Sequence, residues 1–208
     1  MITLYGYPRS RSLRVSWLLE ESGLDWQYHL VDLMKGEHKS PSYQALNHQG
    51  KIPTLTDNDI TLCESSAICF YIAEKYVPQW LPKSGTAESA LHHQWVSFII
   101  SELEQPLWSM GKHKFALPEQ IRLPEMLAVA SWEFKKAAQT AEAWLPDSDY
   151  LIGRSPSIAD ILLAHTLNWA VKFEQKLPTR LEKYRQKLNQ RPALMRALNK
   201  EQQALGDH

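Results

Sequence analysis

The sequence predicts a two-domain protein, with a small α/β domain followed by an all-helical domain. Residues 1–77 alternate strand-like runs with helix-like runs, whereas no strand pattern follows the proline-bearing segment 77–85. A chain of 208 residues is long enough for two such domains. The predicted bounds are residues 1–78 for the first domain and residues 86–208 for the second.

The first domain begins with a predicted strand, a helix and a second strand. Residues 2–5 and 27–32 have strand character, and between them apolar residues recur with helical spacing from Leu13 to Leu19, ahead of a stop at Gly23. A strand, a helix and a strand within about 30 residues predict a parallel pair of strands. Three further elements follow: strands at 51–56 and 60–63, which predict a hairpin, and a helix at 64–76.

The second domain is predicted from apolar periodicity alone. The spacing of Ser157 and Asp160 is that of a capping box, which predicts a helix start at that point. The predicted helices span residues 87–110, 123–145, 157–173, 180–189 and 193–204.

Composition excludes several functional classes. Lys plus Arg and Asp plus Glu number 23 each, so the net charge of zero predicts no nucleic-acid partner. No apolar run approaches the roughly 20 residues of a membrane span, and the start resembles no secretory signal.

The two cysteines, Cys63 and Cys69, are expected to be free thiols in a cytoplasmic, reducing compartment. The histidines show no metal-ligand spacing, so no metal is expected.

The most informative segment surrounds Pro53. A proline in a strand-like stretch removes a donor from the sheet and holds Ile52 extended, so that Ile52 can offer its main chain to a peptide-like ligand. Eleven residues later, Glu64 and Ser65 open a helix, and main-chain N–H groups at a helix start favour an anion. Together the segments predict a site for a small peptide with a free amine and a free carboxylate. The alternative is a turn proline followed by an ordinary helix cap.

Taken in order, these motifs resemble those of the cytosolic glutathione S-transferases, closest to the bacterial serine-type, theta-like members. The resemblance covers nearly the whole chain. It implies a thioredoxin-like first domain with Pro53 in the cis form, an all-helical second domain, glutathione as co-substrate, and a cytosolic homodimer. The residues that carry it are Leu4, Tyr5, Ser10, Arg14, Val15, 18–21, 35–38, 51–53, 64–68, Gly153 and 157–161.

The resemblance also implies roles for individual residues. Ser10 is the expected thiol partner, with Ser12 as the alternative, and either serine could instead only cap the first helix. Arg11 is a possible contributor to holding the thiolate or an acidic co-substrate. The expected glutathione-binding residues are His38, Lys51, Ile52, Pro53, Glu64 and Ser65. The electrophile pocket is expected to include Trp108, Lys112, His113, Phe115 and Trp169, unless the two tryptophans are ordinary core.

Three activities fit this site. The first is transfer of the glutathione thiolate to an electrophilic small molecule, with glutathione-dependent peroxidase activity as a possible companion. The second is a glutathione-dependent isomerisation of the zeta type, although that group carries Ser-Ser-Cys where this chain has Ser10, Arg11 and Ser12. The third is a non-enzymatic, partner-binding role for the same fold, against which the retained Pro53, Glu64 and Ser65 argue.

Overall fold

The computed structural model describes residues 1–206. The chain divides into two compact units, which are treated separately here. The first combines residues 1–81 with residues 190–206, and the second spans residues 82–189. The predicted bounds of 1–78 and 86–208 remain a prediction of the domain organisation.

A four-stranded mixed sheet forms the centre of the first unit. Strand β1 (Ile2–Gly6) pairs in parallel with β2 (Trp26–Leu30) and antiparallel with β3 (Thr54–Asp57). Strand β4 (Ile60–Cys63) closes the edge beside β3, which gives the order β2-β1-β3-β4. The predicted parallel pair and the predicted hairpin are both confirmed.

Helix α1 (Ser12–Ser22) and helix α3 (Ser65–Tyr76) confirm the two helices predicted in this part of the chain. Helix α2 (Pro41–Leu46) was not predicted from apolar periodicity, because it is only six residues long. Its start nevertheless carries a local signal, since the Ser40 side chain accepts a hydrogen bond from the Tyr43 N–H and a proline follows the cap.

The last helix, α9 (Pro192–Gly206), packs within the first unit. Arg196 Nε lies 2.9 Å from a Glu20 carboxylate oxygen of α1, and Arg191 forms a second ion pair with Glu21. Lys200 donates to the Trp26 carbonyl at 2.9 Å and lies over the same tryptophan ring. These charged contacts hold residues 191–200 against α1 and β2, an association that helical periodicity cannot reveal.

A buried carboxylate fixes α3 to the sheet. Asp57, at the end of β3, is 3% exposed and accepts hydrogen bonds from Lys75, Tyr71 and Tyr76. Burial opposes ionisation of this carboxyl, but the three hydrogen bonds, that of Lys75 foremost, outweigh burial and lower the pKa of Asp57 to about 2. The ionised form is therefore stabilised in the folded state.

We expect Asp57→Asn to remove this stabilisation and its pH dependence. Because the folded pKa is below the unfolded value, the contribution is present above about pH 4 and is lost as the pH falls through about 2. The stability difference between wild type and variant should therefore shrink by about 2 kcal/mol between pH 5 and pH 2. Urea titrations at several pH values measure this difference, and a gap independent of pH would contradict the assignment.

The second unit is built from helices. A continuous helical stretch contains α4 (Ala87–Phe98), a π-helical turn (Ile99–Leu103), α5 (Glu104–Gly111) and a second π-helical turn (Lys112–Ala116). Within residues 82–189 the structure has no strand, as the sequence predicted, and no helix among residues 1–206 has the length and apolar character needed to cross a membrane. The other helices are α6 (Met126–Trp144), α7 (Ile158–Lys172) and α8 (Thr179–Asn189).

The predicted capping box is present at the start of α7. Asp160 is 1% exposed, and one of its carboxylate oxygens accepts hydrogen bonds from the N–H and the hydroxyl of Ser157, both at 2.7 Å. The other oxygen accepts from the Leu151 N–H at 2.9 Å and from the Tyr184 hydroxyl of α8. One carboxylate thus joins the preceding loop, the start of α7 and α8.

Candidate functional site

The predicted site segments leave the sheet at the same end. Tyr5 near the end of β1, Thr54 at the start of β3 and Cys63 at the end of β4 form one row across the three strands. The loop to Ser10 follows β1, Pro53 precedes Thr54, and Glu64 follows Cys63. Strand pairing therefore places three segments that are far apart in sequence at one edge.

The peptide bond between Ile52 and Pro53 is cis, as the resemblance implied. The preceding Lys51 carbonyl accepts hydrogen bonds from the Tyr43 hydroxyl at 2.6 Å and from Asn47 Nδ2 at 2.7 Å. Within residues 1–206 the main-chain N–H and C=O of Ile52 make no hydrogen bond, while its side chain is only partly exposed. The loop is therefore fixed on one side and offers the Ile52 main chain to a ligand.

Glu64 and Ser65 start α3, as predicted. Glu64 is exposed, has a φ of 67°, and its carboxylate makes no capping hydrogen bond. A non-glycine residue in this region of φ is uncommon and is typical of sites where function requires an imposed geometry. Ser65 is buried, and its hydroxyl accepts a hydrogen bond from Arg14 of α1 at 3.3 Å. The acidic side chain thus lies at the surface, beside a helix start that favours anions.

Ser10 and Ser12 differ in their access to solvent. Ser10 is partly exposed. Its hydroxyl lies 2.7 Å from the Tyr7 carbonyl oxygen and 2.9 Å from Ser12 Oγ, and its single hydrogen can be donated to only one of them at a time. Its oxygen accepts the Ser12 N–H at 3.1 Å, so it also helps to start α1. Ser12 is fully buried, and its hydroxyl accepts the Tyr7 N–H at 3.3 Å. Only Ser10 has the exposure that contact with a ligand requires.

Gly6 holds the base of this loop in place. A Cβ atom at Gly6 would lie 2.5 Å from Ser12 Oγ and 3.0 Å from the Tyr28 hydroxyl oxygen. The first distance is shorter than a Cβ contact can be, as is the 2.6 Å to Ser12 Cβ, and the second is tighter than usual. A side chain at this position would therefore push the start of α1 away from the end of β1.

We expect Gly6→Ala to displace the start of α1 and to lower the free energy of unfolding by about 1–3 kcal/mol. Gly111→Ala is the matched control, because Gly111 has helical dihedral angles and its added Cβ would meet no atom closer than 3.4 Å. Urea denaturation of both variants checks the expectation. Equal stability of the two would contradict the proposed close approach.

His38 lies in a single turn of 3-10 helix (Glu37–Lys39) against the Pro53 loop. A Cβ at Gly50, which has a φ of 60°, would lie 2.7 Å from the His38 carbonyl oxygen, so the two segments touch. Burial and then the nearby Lys39 lower the pKa of His38, which favours the neutral imidazole. Lys51 is exposed beside this contact, and Arg11 occupies the cap position of α1, partly exposed.

In the second unit, two of the residues predicted to form the electrophile pocket, Trp108 and Phe115, lie beside Gly111. Its added Cβ would lie 3.4 Å from Phe115 Cζ, 3.5 Å from Trp108 Cε3 and 3.7 Å from Phe173 Cζ. The ring centroids of Trp169 and Phe173 are 5.8 Å apart, which extends the group onto α7. Trp108 and Trp169 are both partly exposed.

Lys112 and His113 belong to the π-helical turn that carries Phe115. Lys112 is partly exposed, and its carbonyl accepts the Leu117 N–H at 3.0 Å. His113 Nδ1 accepts the Leu123 N–H at 3.0 Å, which places the proton of the neutral imidazole on Nε2.

Sequence reasoning missed Phe173 and Gly111 in this group. Both carry a spacing signal, because Phe173 lies four residues after Trp169 and Gly111 lies four residues before Phe115. Within residues 1–206 no three His, Cys, Asp or Glu side chains are grouped as metal ligands would be.

Two family models match the chain. Residues 1–74 match the glutathione S-transferase N-terminal domain, and residues 105–192 match the glutathione S-transferase C-terminal domain. The first match lies within the first compact unit, and most of the second match lies within the second unit.

Individual relatives agree with these models. The chain is 35% identical over 150 residues to glutathione S-transferase theta-1 of Rattus norvegicus, covering 69% of this chain and 62% of that protein. It is 30% identical over 209 residues to glutathione S-transferase Z1 of Arabidopsis thaliana, covering 97% of this chain and 93% of that protein. A theta class glutathione S-transferase from Xanthomonas axonopodis pv. citri, solved with glutathione bound, aligns with a TM-score of 0.80 at 30% identity, covering 95% and 96% of the two chains. The chain belongs to the glutathione S-transferase family.

Proposed function

We propose that this protein is a glutathione transferase, which binds glutathione in its first unit and directs the thiolate at an electrophilic small molecule. One observation carries the proposal: the sheet brings the Ser10 loop, the Ile52–Pro53 turn and the start of α3 to one edge. The glutathione-bound relative from Xanthomonas supports the choice of ligand.

Each part of glutathione has a chemical counterpart at this edge. The exposed Glu64 carboxylate pairs with the γ-glutamyl ammonium, and Ser65 at the helix start binds the neighbouring carboxylate. The free main chain of Ile52 hydrogen-bonds the cysteinyl residue, as in strand addition, with cis-Pro53 fixing the turn. Neutral His38 and the Lys51 ammonium donate to the glycyl carboxylate.

Ser10 stabilises the thiolate. A free thiol has a pKa near 8.5, so lowering it by about two units requires a preference for the anion of about 2.7 kcal/mol. A hydrogen bond to a charged acceptor contributes about 1.5–3 kcal/mol, and the start of α1 adds about 0.3–1 kcal/mol. To donate to the sulfur, the hydroxyl turns away from the Tyr7 carbonyl and Ser12 Oγ. Arg11, at the same helix start, adds positive charge.

The thiolate then attacks the electrophilic carbon. A carbon–sulfur bond forms as the leaving group departs with its electron pair, or as a proton adds to an activated double bond. The same thiolate can attack the outer oxygen of a hydroperoxide; the rest of the peroxide leaves as the alcohol after protonation, while the sulfur is oxidised to the sulfenic acid. A second glutathione then forms the disulfide and releases water, which gives the accompanying peroxidase activity. The second substrate binds at Trp108, Lys112, His113, Phe115 and Trp169, where aromatic side chains offer an apolar surface.

An ultraviolet difference titration tests the proposal directly. The absorbance of the glutathione thiolate is followed against pH in the presence of the protein. Ionisation of the bound thiol well below pH 8.5 is the expected result. Binding without a lowered thiol pKa would instead support a non-enzymatic role. An absence of binding would show that glutathione is not the ligand.

We expect Glu64→Ala to weaken glutathione binding about ten- to a hundredfold, because the ligand ammonium loses its charged partner. Glu64→Gln separates charge from hydrogen bonding and should recover only part of the loss. The dissociation constant from calorimetry checks this, with Glu74→Ala, an exposed glutamate of α3, as the control. Wild-type affinity in Glu64→Ala would refute the assignment.

We also infer a homodimer in the cytoplasm. Trp132 and Val129 of α6 are 64% and 47% exposed, an apolar surface that a second copy would cover. The free thiols of Cys63 and Cys69 suit a reducing compartment. Sedimentation equilibrium tests the homodimer, and a monomer at micromolar concentration would contradict it. Cell fractionation tests the location, and recovery outside the cytoplasm would contradict it.

A further inference from the structure

The start of α1 is tied to a buried carboxylate on α9. Glu201 is 1% exposed and Ser16 is fully buried, and Ser16 Oγ lies 2.5 Å from Glu201 Oε1. Ser16 Oγ also lies 3.2 Å from the Ser12 carbonyl oxygen, but its single hydrogen goes to the carboxylate, which is nearer and charged. Burial of a carboxylate is unfavourable in itself, and apolar side chains would suffice to pack α9 on α1.

The first turn of α1 connects this contact to the catalytic loop. Ser12 is the first residue of α1 and lies one turn before Ser16, so a fixed Ser16 also fixes the main chain of Ser12. The Ser12 N–H donates to Ser10 Oγ at 3.1 Å, and the Ser10 carbonyl accepts the Leu13 N–H at 3.2 Å. The position of the Ser10 oxygen therefore follows the first turn of α1.

The Ser12 N–H also makes Ser10 a better donor. Ser10 Oγ can keep this N–H while its own hydrogen turns toward the glutathione sulfur, and hydrogen bonds in such a chain polarise one another. The benefit depends on alignment, because a hydrogen bond weakens steeply as its angle departs from linearity. A displaced first turn of α1 would therefore weaken the stabilisation of the thiolate.

We propose that Glu201 is a positioning residue for thiolate formation, which keeps Ser10 aligned with the glutathione sulfur through Ser16 and the first turn of α1. This inference rests on the proposed transferase function. The effect reaches Ser10 through the main chain of Ser12, so the Ser12 hydroxyl is not required for it. Glu201 lies about 190 residues from Ser10 in sequence, and packing of α9 on α1 brings it to the start of that helix.

Charge and position predict opposite effects of removing this carboxylate. Glu201 faces the same interior as the loop after β1, since burial foremost, followed by Glu201 and Tyr7, raises the pKa of Tyr28 on β2. One anion opposes the formation of another nearby, so loss of the negative charge alone should lower the pKa of the bound thiol. Loss of alignment at Ser10 should raise it.

The ultraviolet difference titration of bound glutathione separates these effects. Ser16→Ala and Glu201→Ala should each raise the pKa of the bound thiol by about 0.5–1 unit and lower kcat/KM at pH 6.5 about three- to tenfold. Glu201→Gln keeps an oxygen that can accept the Ser16 hydroxyl and should restore most of the loss. Arg196→Gln is the control, because it breaks the ion pair with Glu20 near the other end of α1 and should leave the thiol pKa unchanged.

The double variant and the wild type complete the test. Ser16→Ala combined with Glu201→Ala should have no larger effect than the greater of the two single changes, because both remove one contact. Alanine favours a helix, so Ser16→Ala tests the inference even if Glu201→Ala does not fold. A thiol pKa that is unchanged or lowered in Ser16→Ala overturns the inference and leaves the transferase function intact. If wild type binds glutathione without lowering its thiol pKa, the inference and the proposed function both fail.

Discussion

Replacement of Asp160 by alanine is expected to lower the free energy of unfolding by about 3–5 kcal/mol. The carboxylate is 1% exposed and accepts four hydrogen bonds, from the Leu151 N–H, from the N–H and hydroxyl of Ser157, and from the Tyr184 hydroxyl. Loss of the carboxylate would leave these buried donors without an acceptor, and each orphaned group is unfavourable by about 1–3 kcal/mol. Part of the total is recovered by local relaxation.

Two further variants make this measurement specific. Ser157→Ala removes a single hydroxyl donor and should lose only about 1 kcal/mol. Asp160→Asn keeps the volume but turns an amide N–H₂ toward donors, so it should resemble the alanine variant more than wild type. Urea denaturation followed by tryptophan fluorescence reports the differences. If Asp160→Ala lowers the free energy of unfolding by no more than Ser157→Ala does, the four hydrogen bonds do not act together.

The largest expected effect on catalysis belongs to Ser10→Ala. Removing the hydroxyl that stabilises the sulfur anion should raise the pKa of bound glutathione by about 1–2 units, since a hydrogen bond to a charged acceptor contributes about 1.5–3 kcal/mol. At pH 6.5 the value of kcat/KM should fall about 10- to 100-fold. Above pH 9 the two proteins should converge, because the thiolate then forms without help.

Ser12→Ala is the matched control for this prediction. Ser12 is fully buried and accepts the Tyr7 N–H, so its loss should lower stability while leaving the pKa of the bound thiol near that of wild type. Ser10→Thr retains a hydroxyl and should restore part of the activity. If Ser12→Ala shifts the thiol pKa and Ser10→Ala does not, the roles of the two serines are reversed.

Local sequence signals were sufficient where a short segment determines its own conformation. The capping box of Ser157 and Asp160 and the boundary between strand and helix at Glu64 were predicted from neighbouring residues, and the structure has both. The short helix α2 escaped prediction because six residues give too little periodicity, although Ser40 and Pro41 mark its start.

Identification of the candidate site needed both the local sequence signals and the tertiary structure. The residue types in Ile52–Pro53 and in Glu64 and Ser65 indicated a peptide-like ligand before any contact was known. Their meeting at one edge follows from the pairing of Tyr5, Thr54 and Cys63 across three strands, which no single segment encodes. The contact between Phe115 and Phe173 likewise depends on tertiary packing, because the two rings come from segments far apart in the sequence.

By itself the sequence determined the order of the strands and of the longer helices, the zero net charge and the chemistry of each site segment. These properties depend on residue type and on spacings of a few residues. Tertiary structure alone decided that Ser12 is buried while Ser10 reaches solvent, that α9 packs on α1, and that Arg14 contacts Ser65. The physical reason is that burial and long-range hydrogen bonds depend on which distant segments pack together, and that choice minimises the free energy of the whole chain.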